Sequence, residues 1–254
     1  MANWSDPRTS ATPYATAGVQ AASYDAGLRS YMLSVYNYML SGVLLTGIIA
    51  LAFGYVESLQ RLMFVVTETS RGTAVSPSLL GWIVTLSPLA IVFAMSFGAA
   101  RMSESTLKAL FFAYAGLLGA SLSMIFIVYT DTSIAQVFFG TAAGFGALSL
   151  WGYTTKKDLS GLGTFLIIGL VGLIVASIVN LFLQSGTMSL VISAIGVLIF
   201  AGLTAYDTQK IKSMYFQVAG TSFAGKSVVM GALTLYLDFI NMFLFLLRLF
   251  GDRR

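Results

Sequence analysis

The stretch ALTLYLDFINMFLFLLRLF, residues 232–250, decides how the rest of the chain is read. A bilayer core about 30 Å thick takes roughly 20 apolar residues per helix. The run over about 228–250 meets that length with one acid, Asp238, near its middle. Thr234 precedes Asp238 by four positions and Asn241 follows it by three, so on a helix the three share one face. A carboxylate inside a span is costly, so this stripe must face the bundle or a wet cavity rather than lipid. Two readings follow: a functional acid, or a hydrogen-bonded cluster gluing helices together.

Outward from this run, six further stretches have the length and polarity of spans: about 34–56, 79–99 (with Pro88 as a tolerated kink), 107–129, 132–153, 162–184 and 188–207. The long connections are 57–78 and 208–227, which leaves no room for a second domain. Residues 1–30 are polar and rich in Ala, Ser and Thr. They lack the basic start and immediate apolar run of a secretory signal, so a disordered cytoplasmic tail is expected there, with Asp25 capping the helix that follows. Residues 31–254 form the transmembrane domain. The expected fold is an all-α membrane protein of seven spans.

Composition points the same way. Of 254 residues, 57% are hydrophobic and only 9% charged, with a mean hydropathy of +0.85. Soluble domains carry about 25% charged residues. So few charges cannot cover a water-facing surface, which excludes an ordinary cytosolic enzyme, a disordered chain and a nucleic-acid binder. Cys and His are absent. Disulfides, thiolate nucleophiles, zinc–cysteine sites, imidazole bases and haem–histidine ligation are therefore excluded, and no phosphate-cradling loop is present. An enzyme is not expected, nor a resident cofactor.

The net charge of +4 reads as cations at the cytoplasmic ends of helices. With the N-terminus inside, Arg8, Arg29, Arg101, Lys108, Lys156, Lys157, Lys210, Lys212 and Lys226 are inside and Arg61 and Arg71 outside, nine against two. The C-terminal Arg253 and Arg254 disagree, since seven spans put them outside. Either the tail is outside at some cost or the last span is re-entrant. Small residues crowd the fourth and fifth spans, at Gly140, Gly144, Gly146, Gly169, Gly172 and Ala176. Tight helix packing is expected at these positions.

Other candidate residues are few. Asp207 closes the sixth span in LTAYDTQKIKSMY. It reads equally as a functional acid or as an interfacial charge paired weakly with Lys210. Arg101, after the second span, is either a positive-inside anchor or a partner for a buried carboxylate. Asn180 in the fifth span reads as helix–helix glue. Glu57, Glu68, Glu104, Asp131 and Asp158 fall in expected loops and read as solvated. Intramembrane aspartyl proteolysis is set aside, because Tyr206-Asp207 matches half of the expected motif and Asp238 has no Gly-rich partner. Two close carboxylates share one proton, because both cannot ionise cheaply at short range. Ionised, they offer hard oxygen ligands to Ca²⁺.

Three stretches carry a family resemblance: SLWGYTTKKDLSGLGTFLIIGLVGLIVASIVNLFL (149–183), LTAYDTQKIKSMY (203–215) and LTLYLDFINMFLFLLRLFG (233–251). The sequence resembles the Bax inhibitor-1 family, in its bacterial branch, over about 30–251. The resemblance implies a seven-helix bundle with the C-terminal helix central, in a bacterial inner membrane. It also implies a pH-sensitive calcium leak controlled by an aspartate dyad, here Asp207 and Asp238, which become the candidate Ca²⁺ ligands. Arg101 is the nearest match to an arginine latch that pairs with the sixth-span aspartate. Thr234, Asn241 and Asn180 are the supporting polar residues. On this expectation the leak rises as the pH falls. The alternative is a non-channel regulator that binds protein partners, such as a membrane-bound ATP-dependent protease gripping the polar N-terminal tail. Lipid and Ca²⁺ are the expected partners, and nucleic acid is not.

Overall fold

A computed structural model describes residues 14–69 and 72–254. The chain runs in order through α1 (Tyr14–Tyr55), α2 (Glu57–Met63), β1 (Phe64–Thr69), β2 (Gly72–Pro77), α3 (Leu79–Gly98), α4 (Glu104–Leu122), α5 (Ile125–Val128), α6 (Asp131–Thr154), α7 (Ser160–Leu183), α8 (Gly186–Val218) and α9 (Ala224–Phe250). Among the described residues, seven segments are long and apolar enough to cross a membrane: 25–55, 79–98, 104–128, 131–154, 160–183, 186–218 and 224–250. The seven spans match the expected ones, and the differences lie at their ends. The helix opening at Tyr14 lies inside the stretch read as a tail, so Asp25 sits within α1 instead of capping it. The rest of that expected tail, residues 1–13, lies outside the described residues. The sixth span continues as helix to Val218, eleven residues past Asp207. The 57–78 connection folds into α2 and an antiparallel hairpin in which Val66 pairs with Val75.

Local chemistry sets the helix ends. Ser78, Ser103 and Thr130 accept the N–H of the residue three positions on, which satisfies an open donor at the starts of α3, α4 and α6. Pro88 has no N–H to give Val84, and Ser87 Oγ donates to that freed carbonyl at 3.0 Å. α7 ends on Gln184 in the left-handed region, φ 49°. Asn180 holds this turn: its carbonyl accepts Gln184 N at 2.8 Å and its Oδ1 accepts Ser185 N at 3.2 Å. Asn180 therefore closes a helix end and is not the interhelical glue expected from its place in an apolar run.

α9 is the axis of the bundle. It packs against α1, α4, α6 and α8, and 72% of its apolar window is buried. Its Tyr236 sits in a cluster with Phe111 and Tyr114 of α4. The Tyr236 hydroxyl meets Thr46 Oγ1 of α1 at 2.6 Å, and that oxygen also bonds the Ala115 carbonyl at 2.9 Å. In contrast, α3 lies mainly along α4.

Of the glycines expected to pack closely, Gly169 does approach α8, where an added Cβ would lie 3.3 Å from Ile199 Cδ1, but the other four do not. A Cβ added at Gly140, Gly144, Gly146 or Gly172 would meet nothing within 4 Å. The buried face of α6 is instead Ile134, Thr141, Phe145, Ser149 and Gly152. A Cβ on Gly152 would strike the Ala205 carbonyl, and one on Gly163 would strike the Tyr206 ring. Four-residue glycine spacing brings helices together only where that face meets a helix. On α6 and α7 the tightest of these approaches fall at Ala205 and Tyr206, and so seat the segment leading into Asp207.

The C-terminal tail ends beside the α5–α6 connection, as seven crossings require. Thr130 N donates to the Asp252 carbonyl, Arg254 N donates to the Val128 carbonyl, and the Arg254 guanidinium pairs with Asp131 at 2.6 Å. Arg254 on that side is thus matched by an acid, which softens the charge conflict seen in the sequence. It also takes Asp131 out of the set of merely solvated loop acids.

Candidate functional site

Asp207 and Asp238 come together. Asp207 stands on α8 and Asp238 on α9, and both are buried, with 8% and 4% of their surface exposed. Both carboxyl groups line the same groove, and each lies within electrostatic reach of the other. Two carboxyl groups so placed bond to each other only when one of them holds a proton. Asp238 Oδ2 is buried and has no hydrogen-bond partner among the described residues. A buried polar oxygen left open is costly in a settled core and fits a place where a ligand or water comes and goes.

The two polar neighbours read from the sequence lie where expected. Thr234 Oγ1 donates to the Met230 carbonyl at 3.1 Å and Asn241 Nδ2 donates to the Leu237 carbonyl at 2.8 Å. The Thr234 hydroxyl donor and one of the two Asn241 Nδ2 hydrogens are thus spent one turn back on their own helix. What they can offer a cation is oxygen.

These residues line a groove of about 880 Å³ between α7, α8 and α9, faced by Leu89 of α3. Asn180 and Ser189 lie along it, and Arg248 closes the far side of the lining. Arg248 was missed in the sequence reading. The stripe Thr234, Asp238, Asn241 steps by four and three, and two more steps reach Phe245 and Arg248. The guanidinium lies 5.5 Å from the Phe245 ring centroid.

A second omission is a polar chain behind the pair. Tyr36 Oη of α1 meets Ser149 Oγ of α6 at 2.5 Å, and Ser149 Oγ meets Thr208 Oγ1 of α8 at 2.9 Å. Thr208 follows Asp207 directly, so this chain ties the acid's helix to two neighbours. Each of these residues looks unremarkable in an apolar sequence, and only the packing joins them.

The expected latch is not formed. Arg101 is exposed on the turn after α3, and it makes no ion pair with Asp207 among the described residues. The reason is the lie of α3, which packs on α4 and leaves the groove between itself and α8. Nor does Lys210 form a bridge with Asp207. Its ammonium stands 5.8 Å from the Tyr206 ring centroid. Among the other acids, Glu57 pairs with Arg61 and Glu104 with Lys108 along exposed helix faces.

The pair can hold a proton or a hard cation on the same oxygens. Ca²⁺ takes six to eight oxygen ligands, and no group of three or more acids gathers among the described residues. The two carboxylates, with Thr234 and Asn241 on the same groove, would give such an ion at most part of its shell. Such a shell suits passing occupancy better than permanent storage.

Comparison with known proteins places this geometry in context. A family model described as "Inhibitor of apoptosis-promoting Bax1" matches residues 28–254. An uncharacterized protein of Rickettsia prowazekii is 49% identical over 233 residues, covering 91% of this chain and 93% of the relative. The Escherichia coli K12 inner membrane protein YbhL is 46% identical over 231 residues, covering 90% of this chain and 94% of the relative. An uncharacterized membrane protein of Streptococcus pyogenes is 39% identical over 227 residues, covering 89% and 94%.

Proposed function

The chain belongs to the Bax inhibitor-1 family, and from that premise we propose that it is a pH-sensitive calcium leak gated by the Asp207–Asp238 pair. The observation that carries the reading is the carboxyl pair buried between α8 and α9, with one oxygen unpartnered, on the wall of a groove. Two buried carboxyls at close range share one proton more cheaply than both ionise, and in that state the pair carries a single negative charge. Loss of that proton creates a second charge, and gain of another removes the first. Either step changes the local field enough to bias a two-state helix position. The mobile element of this reading is α3. An ionised Asp207 attracts Arg101 and draws α3 across the groove, and protonation releases it. The unpaired Arg101 and the open groove beside α3 fit the released end of that movement.

Orientation follows from charge. Arg29, Arg101, Lys108, Lys156, Lys157, Lys210, Lys212 and Lys226 fall at or near one end of the seven spans. That end is cytoplasmic by the positive-inside bias, and the N-terminus with it. The opposite end holds the hairpin and the C-terminus.

The test is calcium efflux from liposomes holding the purified full-length chain, followed between pH 8 and pH 6. The wild type should leak faster as the pH falls. Asp207→Asn and Asp238→Asn should each flatten that dependence. A pH profile unchanged in both variants overturns the proposal.

A further inference from the structure

Away from the acid pair, a second polar concavity of about 310 Å³ opens at the basic end of the bundle, between the α6–α7 connection and α8. Lys156, Lys157 and Lys210 line it together with Ser160, Ser213 and Tyr206. None of the three lysines forms an ion pair among the described residues. The one acid present is already engaged: Asp158 Oδ1 accepts Ser160 N at 2.9 Å at the start of α7. The Ser160 hydroxyl and N–H hold the Asp158 carboxyl below the usual aspartate range, so it stays ionised at neutral pH and leaves the site with an excess of two positive charges. The lysines are held in register by Gln209, whose Oε1 accepts Leu159 N at 2.9 Å and whose Nε2 donates to the Lys157 carbonyl at 2.8 Å. The concavity is therefore braced between the connection and α8.

Its position points to the bilayer. One turn further along α7 the surface is apolar and open, with Leu162 39% and Phe165 71% exposed, and Trp151 near the end of α6 is 46% exposed. Such side chains at a helix end mark the edge of the hydrocarbon region. Basic pockets between helices at that level suit anionic headgroups. We propose that Lys156, Lys157 and Lys210 form a binding site for the phosphate of an anionic phospholipid, with its acyl chains lying along the exposed face of α7.

The experiment is native mass spectrometry of the detergent-solubilised full chain titrated with phosphatidylglycerol, with phosphatidylcholine, and with inorganic phosphate alone. Phosphatidylglycerol should bind in preference to phosphatidylcholine, and millimolar phosphate should not displace it. Each lysine near an anionic group is worth roughly a factor of five. Lys156→Gln, Lys157→Gln and Lys210→Gln should each weaken phosphatidylglycerol by about that factor, and the triple variant by about a hundredfold. Asp158→Asn should tighten it. Equal binding of the two lipids, or unchanged binding in the single and triple variants, overturns the site. Displacement by phosphate alone overturns the lipid as its occupant.

Discussion

Gly152→Ala is expected to destabilise the bundle more than alanine at any other glycine of α6. The added Cβ would run into the Ala205 carbonyl and lie 2.9 Å from Ala205 Cα, where ordinary contact begins at 3.4 Å. Both obstructing atoms are backbone, so no side chain can swing aside. α6 and α8 must separate by at least half an ångström, and by more at the carbonyl. Overpacking of this kind costs about 1–3 kcal/mol, or roughly 2–12 °C in the unfolding midpoint of a chain this size. The internal control is Gly140→Ala or Gly144→Ala, where nothing lies within 4 Å and the change should be neutral or stabilising by up to about 1 kcal/mol. Thermal unfolding of the three variants in one detergent, by near-ultraviolet circular dichroism at a fixed scan rate, reads the difference directly. Equal midpoints for Gly152→Ala and Gly140→Ala would refute the close α6–α8 approach that seats Asp207.

Tyr236→Phe removes the hydroxyl bonded to Thr46 at 2.6 Å and should cost about 1–2 kcal/mol by thermal unfolding, with Thr46→Val in the same chain adding less than its effect alone. Gln209→Ala breaks both bonds that pin the α6–α7 connection and should cost about 1–2 kcal/mol, with faster hydrogen exchange at Leu159 and Ser160. The exposed Arg254–Asp131 pair should contribute at most about 1 kcal/mol, so Arg254→Ala should leave the midpoint nearly unchanged and remove its salt sensitivity. Asp158 is held below its ordinary value of 3.8 by Ser160. Its contribution is present above that pH and is lost as the pH falls through the lower, folded value. An acid titration of unfolding should therefore lose this component in Asp158→Ala, and the variant should match wild type only at the acid end.

Much of the architecture could be read in the chain because hydrophobic length is a strong signal: α3, α6, α7 and α9 start and stop within a few residues of the expected spans. Errors arose where helix outlasts the bilayer. α1 and α8 extend as ordinary helix beyond their apolar runs, and a hydropathy pattern carries no mark of that. Asp238 was legible because a charge in a span is rare, and Thr234 and Asn241 because they share its helical face. Arg248 lay on the same stripe and was lost only because it stands near a helix end, where a cation looks like an anchor. The Tyr36–Ser149–Thr208 chain joins three helices, and no spacing within one helix announces it. The same limit explains the glycines: spacing identified a small-residue face on α6, while the face that meets α8 carries the single Gly152. Arg101 was assigned by resemblance, and its distance from Asp207 depends on where α3 rests, which is a property of packing rather than of any local pattern.

The proposed gating requires that the Asp207–Asp238 oxygens be a single site contested by protons and calcium. The direct measurement is the number of protons released per calcium ion bound by the full chain in lipid nanodiscs, followed by a pH indicator in weak buffer. The account predicts one proton released per ion bound in the wild type and none in Asp207→Asn or Asp238→Asn. Calcium binding with no proton release, or with the same release in all three proteins, would contradict it.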